Sequence, residues 1–406
     1  MKITIVSNFD LASGRGPVFR LVNILPAIAK AVDLTVISLQ EPDDLCKRTF
    51  ALNNIKYEIV HYETEGWSIV DCDRLSSQIT DFLYQNKTQL CVLGWELWDL
   101  AVLLFNEIDF SYCKFAVVLH SMPFVDALPF PTIYEQDIEL RLQKESNSMI
   151  ADYLAAKAYN AREYITKFNI ISINETVTYY LNTYFPGLSF FHAYPGYALD
   201  VNEIDSIVQN DKIYDFIFMS KLETSKGIFD LIEISSEIKK INPRFTIRII
   251  GDFLYDKEKT DALKRIKDLQ LEDNISFAGW LSDDKKYKEL KKAKIFLYPS
   301  LTGDTFSFCL LEALACGLCA VTYNTPFARI IYKNAPVEKV EYRNIQRFAN
   351  VAINMLDLWT EDYSYNANKF VLENYSDWNQ VALAEVRVYH ELLAENKDRN
   401  GINAYE

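Results

Sequence analysis

Residues 298–321 decide the fold, and they read YPSLTGDTFSFCLLEALACGLCAV. The apolar run Ala293–Tyr298 that leads into them predicts a buried strand. After a short polar loop, Phe308–Cys316 predicts an apolar helix that ends at Gly317, and Cys319–Tyr323 predicts the next strand. Strand, loop, helix and strand form a βαβ unit, and sheets built from such units bind ligands at the carboxyl ends of their strands.

Two carboxylates lie in this unit, Asp304 in the loop and Glu312 about one turn into the helix. A helix N-terminus has free N–H groups and the positive end of the helix dipole, so it suits a phosphate or a sugar oxygen. A carboxylate in the first turns can accept hydrogen bonds from the two vicinal hydroxyls of a ribose, and the loop carboxylate can bind a second sugar. The alternative is that Asp304 caps the helix and Glu312 is a solvated charge.

The stretch resembles the acidic signature of the GT4 family, the glycosyl transferases group 1, which are retaining enzymes of GT-B fold. Members read roughly E-G-F-G-x-x-x-x-E-A-M-A-x-G, and Glu312–Gly317 (EALACG) matches the second half closely. In the first half, Asp304, Thr305 and Ser307 replace the usual Glu, Gly and Gly. The resemblance implies that Asp304 holds the donor sugar, that Glu312 holds the ribose, and that the helix start at Phe306–Phe308 helps to hold the diphosphate.

Length and composition indicate a globular protein of two or three domains. The chain has 406 residues, half of them hydrophobic, and a formal net charge of −14. This charge argues against a nucleic-acid partner and predicts at most peripheral contact with membranes. No apolar run is long enough to span a membrane, the N-terminus lacks a signal-peptide pattern, and seven scattered cysteines favour reduced thiols. We expect a cytoplasmic protein.

The N-terminal segment predicts a second unit of the same kind. Met1–Ser7 predicts a buried strand, a loop follows with Gly14 and Gly16, and Val18–Val32 has helical apolar spacing. The loop fails the dinucleotide pattern G-x-G-x-x-G at its third glycine, where Phe19 stands. The alternatives are an ordinary tight turn and the glycine loop that GT-B transferases bring close to the donor diphosphate.

Strands and helices then alternate, which predicts a parallel, doubly wound sheet. His120 follows the strand Lys114–Leu119, at the edge where such sheets carry their chemistry. Family members have a histidine here that faces the transferred sugar; a structural histidine is the alternative. The Pro-rich stretch Met122–Pro131 is a candidate acceptor-side lid.

The second domain follows a polar stretch, Asn202–Asp211, which predicts a linker. After the strand Tyr214–Met219, the family pattern is G-R-L-x-x-x-K-G; Lys226 matches its Lys, and Lys221 replaces its Arg. Two cations on one loop can neutralise a leaving diphosphate without a metal ion, although Lys lacks the bidentate fork of Arg. Solvated surface lysines are the alternative.

Two further segments bear on contacts to the nucleobase and on metal binding. The strand Ile275–Trp280 matches a family segment whose backbone contacts the nucleobase, which makes Gly279 and Trp280 candidates. The pair in Asp71-Cys72-Asp73 lies in a predicted loop, so we expect no metal site.

The sequence therefore predicts an α/β protein of GT-B fold, with two Rossmann-like doubly wound domains facing across a cleft. The expected domains are 1–200 on the acceptor side, 201–375 for the nucleotide sugar, and a helix in 376–406 that crosses back. The expected catalytic residues are His120, Asp304 and Lys226, and the expected donor-binding residues are Gly14, Gly16, Lys221, Lys226, Gly279, Trp280, Asp304, Thr305, Phe306, Ser307, Phe308 and Glu312.

The expected function is retaining, metal-independent transfer of a hexosyl group from a nucleotide sugar, UDP- rather than GDP-linked, to a carbohydrate or lipid-linked glycan acceptor. The resemblance implies a role in surface polysaccharide or glycoconjugate synthesis, with no cofactor besides the donor. An inactive GT-B partner protein and a GT-B epimerase or phosphorylase remain as alternatives.

Overall fold

A computed structural model describes residues 1–9, 16–61, 64–65, 68–69, 72–94, 98–108, 112–120, 164–209, 211–301 and 304–394. The chain divides into two compact units. Unit 1 comprises Met1–Tyr197 and Trp378–Glu406, and unit 2 comprises Ala198–Asp377. Gly14, the segment Met122–Pro131 and Asp71 lie outside the described residues.

The described part of unit 1 contains a seven-stranded parallel sheet of order β3-β2-β1-β6-β7-β8-β9. Its strands are β1 Lys2–Ser7, β2 Asp33–Ser38, β3 Lys56–Ile59, β6 Leu90–Gly94, β7 Lys114–Leu119, β8 Asn169–Ser172 and β9 Phe191–His192; two short antiparallel strands, β4 Thr64–Glu65 and β5 Ser68–Ile69, lie apart from it. Central strands such as β1 and β7 are buried along nearly their whole length because helices cover both faces of a parallel sheet.

The described helices of unit 1 alternate with these strands. They are α1 Gly16–Ala31, α2 Asp44–Leu52, α3 Cys72–Gln85, α4 Trp98–Glu107, α5 Glu175–Tyr184 and, after unit 2, α14 Trp378–Ala394. Asn174 caps α5, since its side chain accepts a hydrogen bond from the Val177 N–H at 2.9 Å. Cys72 and Asp73 belong to α3, so the prediction of a loop at this point was wrong.

Unit 2 contains a six-stranded parallel sheet of order β12-β11-β10-β13-β14-β15 among the described residues. The strands are β10 Tyr214–Met219, β11 Ile247–Ile250, β12 Ile275–Gly279, β13 Ala293–Tyr298, β14 Cys319–Tyr323 and β15 Val337–Val340. The described helices are α6 Val201–Ser206, α7 Ile228–Ile241, α8 Asp256–Asp268, α9 Asp283–Lys291, α10 Phe308–Ala315, α11 Pro326–Ile330, α12 Ile345–Asp357 and α13 Glu361–Asn374, with a 3₁₀ turn at Thr224–Lys226.

The structure confirms the predicted class, two Rossmann-like α/β units with doubly wound parallel sheets. The predicted linker at Asn202–Asp211 was wrong in its first half, because Val201–Ser206 is the helix α6. The Asp200 carboxylate caps this helix by accepting from the Glu203 N–H at 3.0 Å. Within the described ranges, the helices all fall short of the length and apolarity that membrane crossing requires.

Candidate functional site

The sheet of unit 2 has its topological switch point between β10 and β13. From β10 the chain moves outward to β11 and β12, and it then returns to add β13 on the other side of β10. In open α/β sheets ligands bind at such a point, beside the loops that follow the two neighbouring strands, here β10 and β13. The sequence predictions for Lys226 and Asp304 fall on these two loops.

A glycine brings the two loops together. Gly227 ends the 3₁₀ turn with φ +83°, and a Cβ atom at this position would collide with the carbonyl oxygen of Pro299, in the loop after β13. Beside it, the Leu301 N–H donates to the Ser225 carbonyl at 3.0 Å. Only glycine permits this backbone approach, which accounts for the Lys-Gly pair in the sequence.

Lys226 and Asp304 form an ion pair between these two loops. The Lys226 Nζ lies 2.8 Å from Asp304 Oδ1, and the two side chains are 21% and 16% exposed. The hydroxyls of Tyr298 and Ser300 donate to Asp304 Oδ2 at 3.1 and 3.2 Å. Burial lowers the pKa of Lys226, but the charge and hydrogen bond of Asp304 outweigh it, so that the pKa is raised and the ammonium persists.

Asp304 does not cap the following helix. The N-cap of α10 is Ser307, whose hydroxyl accepts from the Leu310 N–H at 3.2 Å, and the buried Tyr332 hydroxyl donates to the Ser307 carbonyl at 2.8 Å. The serine that replaces a family glycine thus has a structural role at the helix start. Asp304 is left to pair with Lys226.

Aromatic rings support the helix start. Phe306 contacts Phe308, Tyr332 and Tyr375 with ring-centroid distances of 5.5, 6.2 and 5.8 Å. Thr305 is buried, with 3% of its surface exposed. This packing fixes the backbone from Asp304 into α10, so that the N–H groups of the first turn have a defined direction.

Glu312 lies in the same helix and is held from α9. Its Oε1 accepts a hydrogen bond from Lys286 Nζ at 2.5 Å and from the Tyr287 hydroxyl at 3.2 Å. The carboxylate is 12% exposed, so it is not the solvated charge of the alternative interpretation. Burial, followed by the charge of Glu312, raises the pKa of the Tyr287 phenol, which keeps it a donor.

The sequence analysis missed Lys286 and Tyr287. They lie in the run DDKKYK at 283–288, which is typical of a solvated helix face, and only tertiary packing brings them to Glu312. A single sequence offers no signal for this pair, because the residues are separated by about 25 positions and lie on different helices.

The remaining predicted donor contacts of unit 2 lie around this edge. Lys221 is exposed in the loop after β10. Gly279 ends β12 with φ +72°, and Trp280 follows with 63% of its surface exposed. Since β12 is two strands from β10, and neighbouring strands lie about 4.8 Å apart, these residues start about 10 Å from the Lys226 loop.

In unit 1, His120 directly follows β7 and is 5% exposed. Burial, and then the positive charge of Arg20, holds its pKa well below the ordinary value, so the imidazole is neutral at pH 7. Gly16 is the first residue of α1. The structure thus places His120 at the expected strand end, in a site that favours an uncharged ring.

Arg20 and Glu385 are buried charges that the sequence analysis did not identify. They form an ion pair between α1 and α14, both fully buried. Arg20 Nε also donates to the Gly196 carbonyl at 2.7 Å, and the Tyr389 hydroxyl donates to Glu385 Oε1 at 2.5 Å. These contacts tie the C-terminal helix to the first helix of unit 1, and breaking the pair by removing one partner would leave a buried charge uncompensated.

Comparison with known proteins places these features in context. Residues 201–370 match the family described as "Glycosyl transferases group 1". A curated relative, an uncharacterised glycosyltransferase of Methanocaldococcus jannaschii, is 22% identical over 214 residues, which are 48% of this chain and 52% of the relative. The chain spans about half the length of the curated relatives it matches.

Several solved structures match nearly the whole chain, and two of them serve as examples. A glycosyltransferase from Rickettsia africae has a TM-score of 0.68 at 15% identity and covers 97% of this chain and 99% of its own. Anabaena HepE, solved in complex with UDP and glucose, has a TM-score of 0.67 at 15% identity and covers 96% and 99%. At these identities the likeness concerns the fold.

Proposed function

Residues 201–370 match the glycosyl transferases group 1 and the chain has the GT-B fold, and we propose that it belongs to this family and transfers a sugar from a nucleotide-sugar donor to an acceptor hydroxyl. The proposed acceptor is a carbohydrate or a lipid-linked glycan, in surface polysaccharide or glycoconjugate synthesis. The proposed donor carries UDP, in line with the complex of the structurally similar HepE.

The observation that carries this proposal is the Lys226–Asp304 pair at the switch point of unit 2. A nucleotide sugar presents an anionic diphosphate joined to a neutral sugar rich in hydroxyls. The Lys226 ammonium supplies a cation for the diphosphate, and the Asp304 carboxylate is a hydrogen-bond acceptor for the sugar hydroxyls. The helix start of α10 lies in the same loop and favours the phosphate further.

Glu312 supplies the second half of the donor site. Both contacts from α9 use its Oε1, which supports a role for the Oε2 atom in ligand binding. We assign the ribose hydroxyls to this carboxylate. The side chains of Lys286 and Tyr287 hold this carboxylate in the structure.

The proposed step breaks the bond between the sugar anomeric carbon and the diphosphate oxygen, and the electron pair leaves with the diphosphate. The acceptor oxygen forms the new bond to the same carbon on the same face, and its proton passes to the departing phosphate oxygen. Lys226 stabilises the developing negative charge, which is a preorganised electrostatic task. Neutral His120 is assigned to the reacting centre, and no metal ion or other cofactor is invoked.

A second candidate is a catalytically inactive GT-B protein. The departures from the family pattern at Asp304, Ser307 and Lys221 motivate it, and so does the pairing of Asp304 with Lys226. A GT-B epimerase or phosphorylase is a further alternative, and a phosphorylase would need a cofactor lysine arrangement that the sequence does not indicate.

Donor hydrolysis separates these functions. The purified protein is incubated with UDP-glucose, UDP-galactose, UDP-N-acetylglucosamine or GDP-mannose in EDTA, and release of nucleoside diphosphate is measured. We expect slow release from at least one UDP-sugar and a loss of about tenfold or more in Lys226→Met, because a charge-assisted contact to the leaving group is removed.

Lys264→Met is the matched control, since Lys264 is exposed on α8 and pairs only across one helix turn with Asp268. It should hydrolyse the donor at the wild-type rate. No release from any of the four donors would favour the inactive protein. Release of free sugar epimers or sugar phosphates would favour the other enzymes of the fold.

A further inference from the structure

Unit 1 has a groove between its edge strand β9 and helix α5, with a volume of about 410 Å³. It lies outside residues 201–370 and contains none of the predicted site residues. The described side chains that line it carry a hydroxyl, an amide, an imidazole, an aromatic ring or an aliphatic group, and they are Thr178, Asn182, Leu188, Ser189, Phe190, Phe191 and His192. None of these is acidic or a fixed cation, although the chain as a whole has a formal charge of −14.

A chain of hydrogen bonds fixes His192 at the rim of this groove. The Ser172 hydroxyl donates to the Asn174 carbonyl at 3.1 Å and lies 3.0 Å from the Thr178 hydroxyl. The Thr178 hydroxyl contacts the Tyr194 hydroxyl, and the Tyr194 hydroxyl lies 3.0 Å from His192 Nδ1. The groove therefore has a polar wall that is anchored in the buried end of β8.

The direction of these bonds follows from counting protons. Each hydroxyl can donate once, and Ser172 donates to a carbonyl, which can only accept. All four contacts are satisfied when Thr178 donates to Ser172, Tyr194 to Thr178, and His192 Nδ1–H to Tyr194. In the neutral imidazole this assignment places the proton on Nδ1, so that Nε2 of His192 is an acceptor for a ligand hydroxyl.

The rest of the lining suits the same chemistry. Phe190 lies beside the His192 ring at a centroid distance of 5.1 Å, which leaves an aromatic face for C–H groups. Asn182 offers an amide donor and acceptor, and Ser189 offers a hydroxyl; both are exposed. A ligand that matches neutral hydrogen-bonding groups beside an aromatic ring is neutral and rich in hydroxyls, with C–H faces, as an oligosaccharide is.

Strand register places this groove on the same sheet edge as His120. Leu119 of β7 pairs with Ser172 of β8, and Ser172 pairs with His192 of β9, so the three residues are level across the sheet. His120 follows Leu119 directly. Two strand spacings of about 4.8 Å separate β7 from β9, so the groove begins about 10 Å from the strand end at His120.

We propose that the groove between α5 and β9 is a binding subsite for a neutral oligosaccharide. This proposal rests on the proposed transfer reaction. In that reaction the groove holds acceptor sugar units that lie beyond the unit that reacts near His120. The hydroxyl contacts come from His192 and Asn182, and Phe190 provides the stacking surface.

The test measures binding of three trisaccharides, maltotriose, cellotriose and triacetylchitotriose, to the full chain by saturation-transfer NMR and calorimetry. We expect at least one of them to bind at millimolar concentration. His192→Ala and Asn182→Ala should each weaken that binding about fivefold, as loss of one hydrogen bond gives, and Phe190→Ala should weaken it similarly.

Thr183→Ala is the control, since Thr183 is exposed on α5, bonds to the Tyr179 carbonyl of its own helix and does not line the groove. It should bind the trisaccharide as wild type does. Asn182 is exposed, so its variant keeps the test valid even if His192→Ala fails to fold. The proposal is overturned if no trisaccharide binds, or if the folded groove variants bind as tightly as Thr183→Ala.

Donor hydrolysis is measured on the same proteins to separate this proposal from the proposed function. All four variants should release nucleoside diphosphate at the wild-type rate. Trisaccharide binding that depends on the groove, in a protein without donor hydrolysis, would support the subsite and reject the transfer reaction. Donor hydrolysis without trisaccharide binding that depends on the groove would support the transfer reaction and reject the subsite.

Discussion

Converting the Glu312 carboxylate into an amide of the same shape, by Glu312→Gln, should weaken UDP binding by about one to two orders of magnitude. The carboxylate is 12% exposed and held at Oε1 by Lys286 and Tyr287, so it meets the ribose already oriented. Hydrogen bonds to a charged acceptor contribute about 1.5–3 kcal/mol, and each 1.4 kcal/mol is about tenfold in affinity. The substitution keeps the shape and removes the charge.

The assay is a double-mutant cycle by calorimetry in EDTA, with UDP and 2′-deoxy-UDP on wild type and Glu312→Gln. On wild type the 2′-deoxy nucleotide should bind about tenfold more weakly, because one hydroxyl no longer donates to the carboxylate. On the variant the two nucleotides should bind almost equally. If the effects of the two changes simply add, Glu312 does not touch the ribose and this assignment is wrong.

Lys286→Met provides a second arm of the same experiment. Losing the contact at Oε1 frees the carboxylate to rotate and removes a cation near the nucleotide, so UDP binding should weaken several-fold. Lys288→Met, an exposed position on the same helix, is the control and should bind UDP as wild type does. Tighter UDP binding in Lys286→Met would mean that Lys286 competes with the ribose instead of positioning Glu312.

Three further predictions concern other parts of the molecule. His120→Ala should lower the rate of sugar transfer strongly while the donor affinity stays within a few-fold of wild type. Turnover at the wild-type rate in this variant would mean that His120 has only a structural role. The pKa of Lys226 is raised, so the stability from its pair with Asp304 is complete below the ordinary value of 10.5 and is lost only as the pH rises through the higher folded value. The difference in unfolding free energy between wild type and Lys226→Met should therefore stay level between pH 8 and about 10, and a decline within that range would contradict the raised pKa. Gly227→Ala should destabilise unit 2 by more than the roughly 1–3 kcal/mol of left-handed strain, because its Cβ also collides with Pro299; each kcal/mol lowers Tm by about 2–4 °C, and Gly279→Ala, where the nearest contact is an ordinary 3.7 Å, should show the strain alone in thermal melts.

Much of unit 2 could be predicted from sequence because local signals agree there. Apolar runs gave β13 and β14, Gly317 marked the end of α10, and the order of strands in a doubly wound sheet put the loops of Lys226 and Asp304 at one switch point. The pairing of Lys226 with Asp304 follows from this strand order, because their loops leave neighbouring strands. The sequence did not reveal that Ser307 takes the cap, since Asp304 and Ser307 are equally good capping residues.

Contacts between distant segments could not be predicted in this way. Lys286 meets Glu312, and Arg20 meets Glu385, only because helices pack against each other in the folded units. Charged residues on helices are usually solvated, and periodicity says which face is apolar without saying which charge is buried. The hydrogen-bond chain that ends at His192 has the same origin, since its members come from β8, α5 and the segment after β9.

The Lys226–Asp304 pair as a nucleotide-diphosphate site is the central claim, and UDP binding in the absence of divalent metal tests it most directly. Calorimetry in EDTA should show saturable binding of UDP to wild type and to Lys264→Met. Lys226→Met should bind at least about tenfold more weakly, because a charge-assisted contact to phosphate is lost. Binding that needs manganese, or that is equal in Lys226→Met and Lys264→Met, would contradict the account.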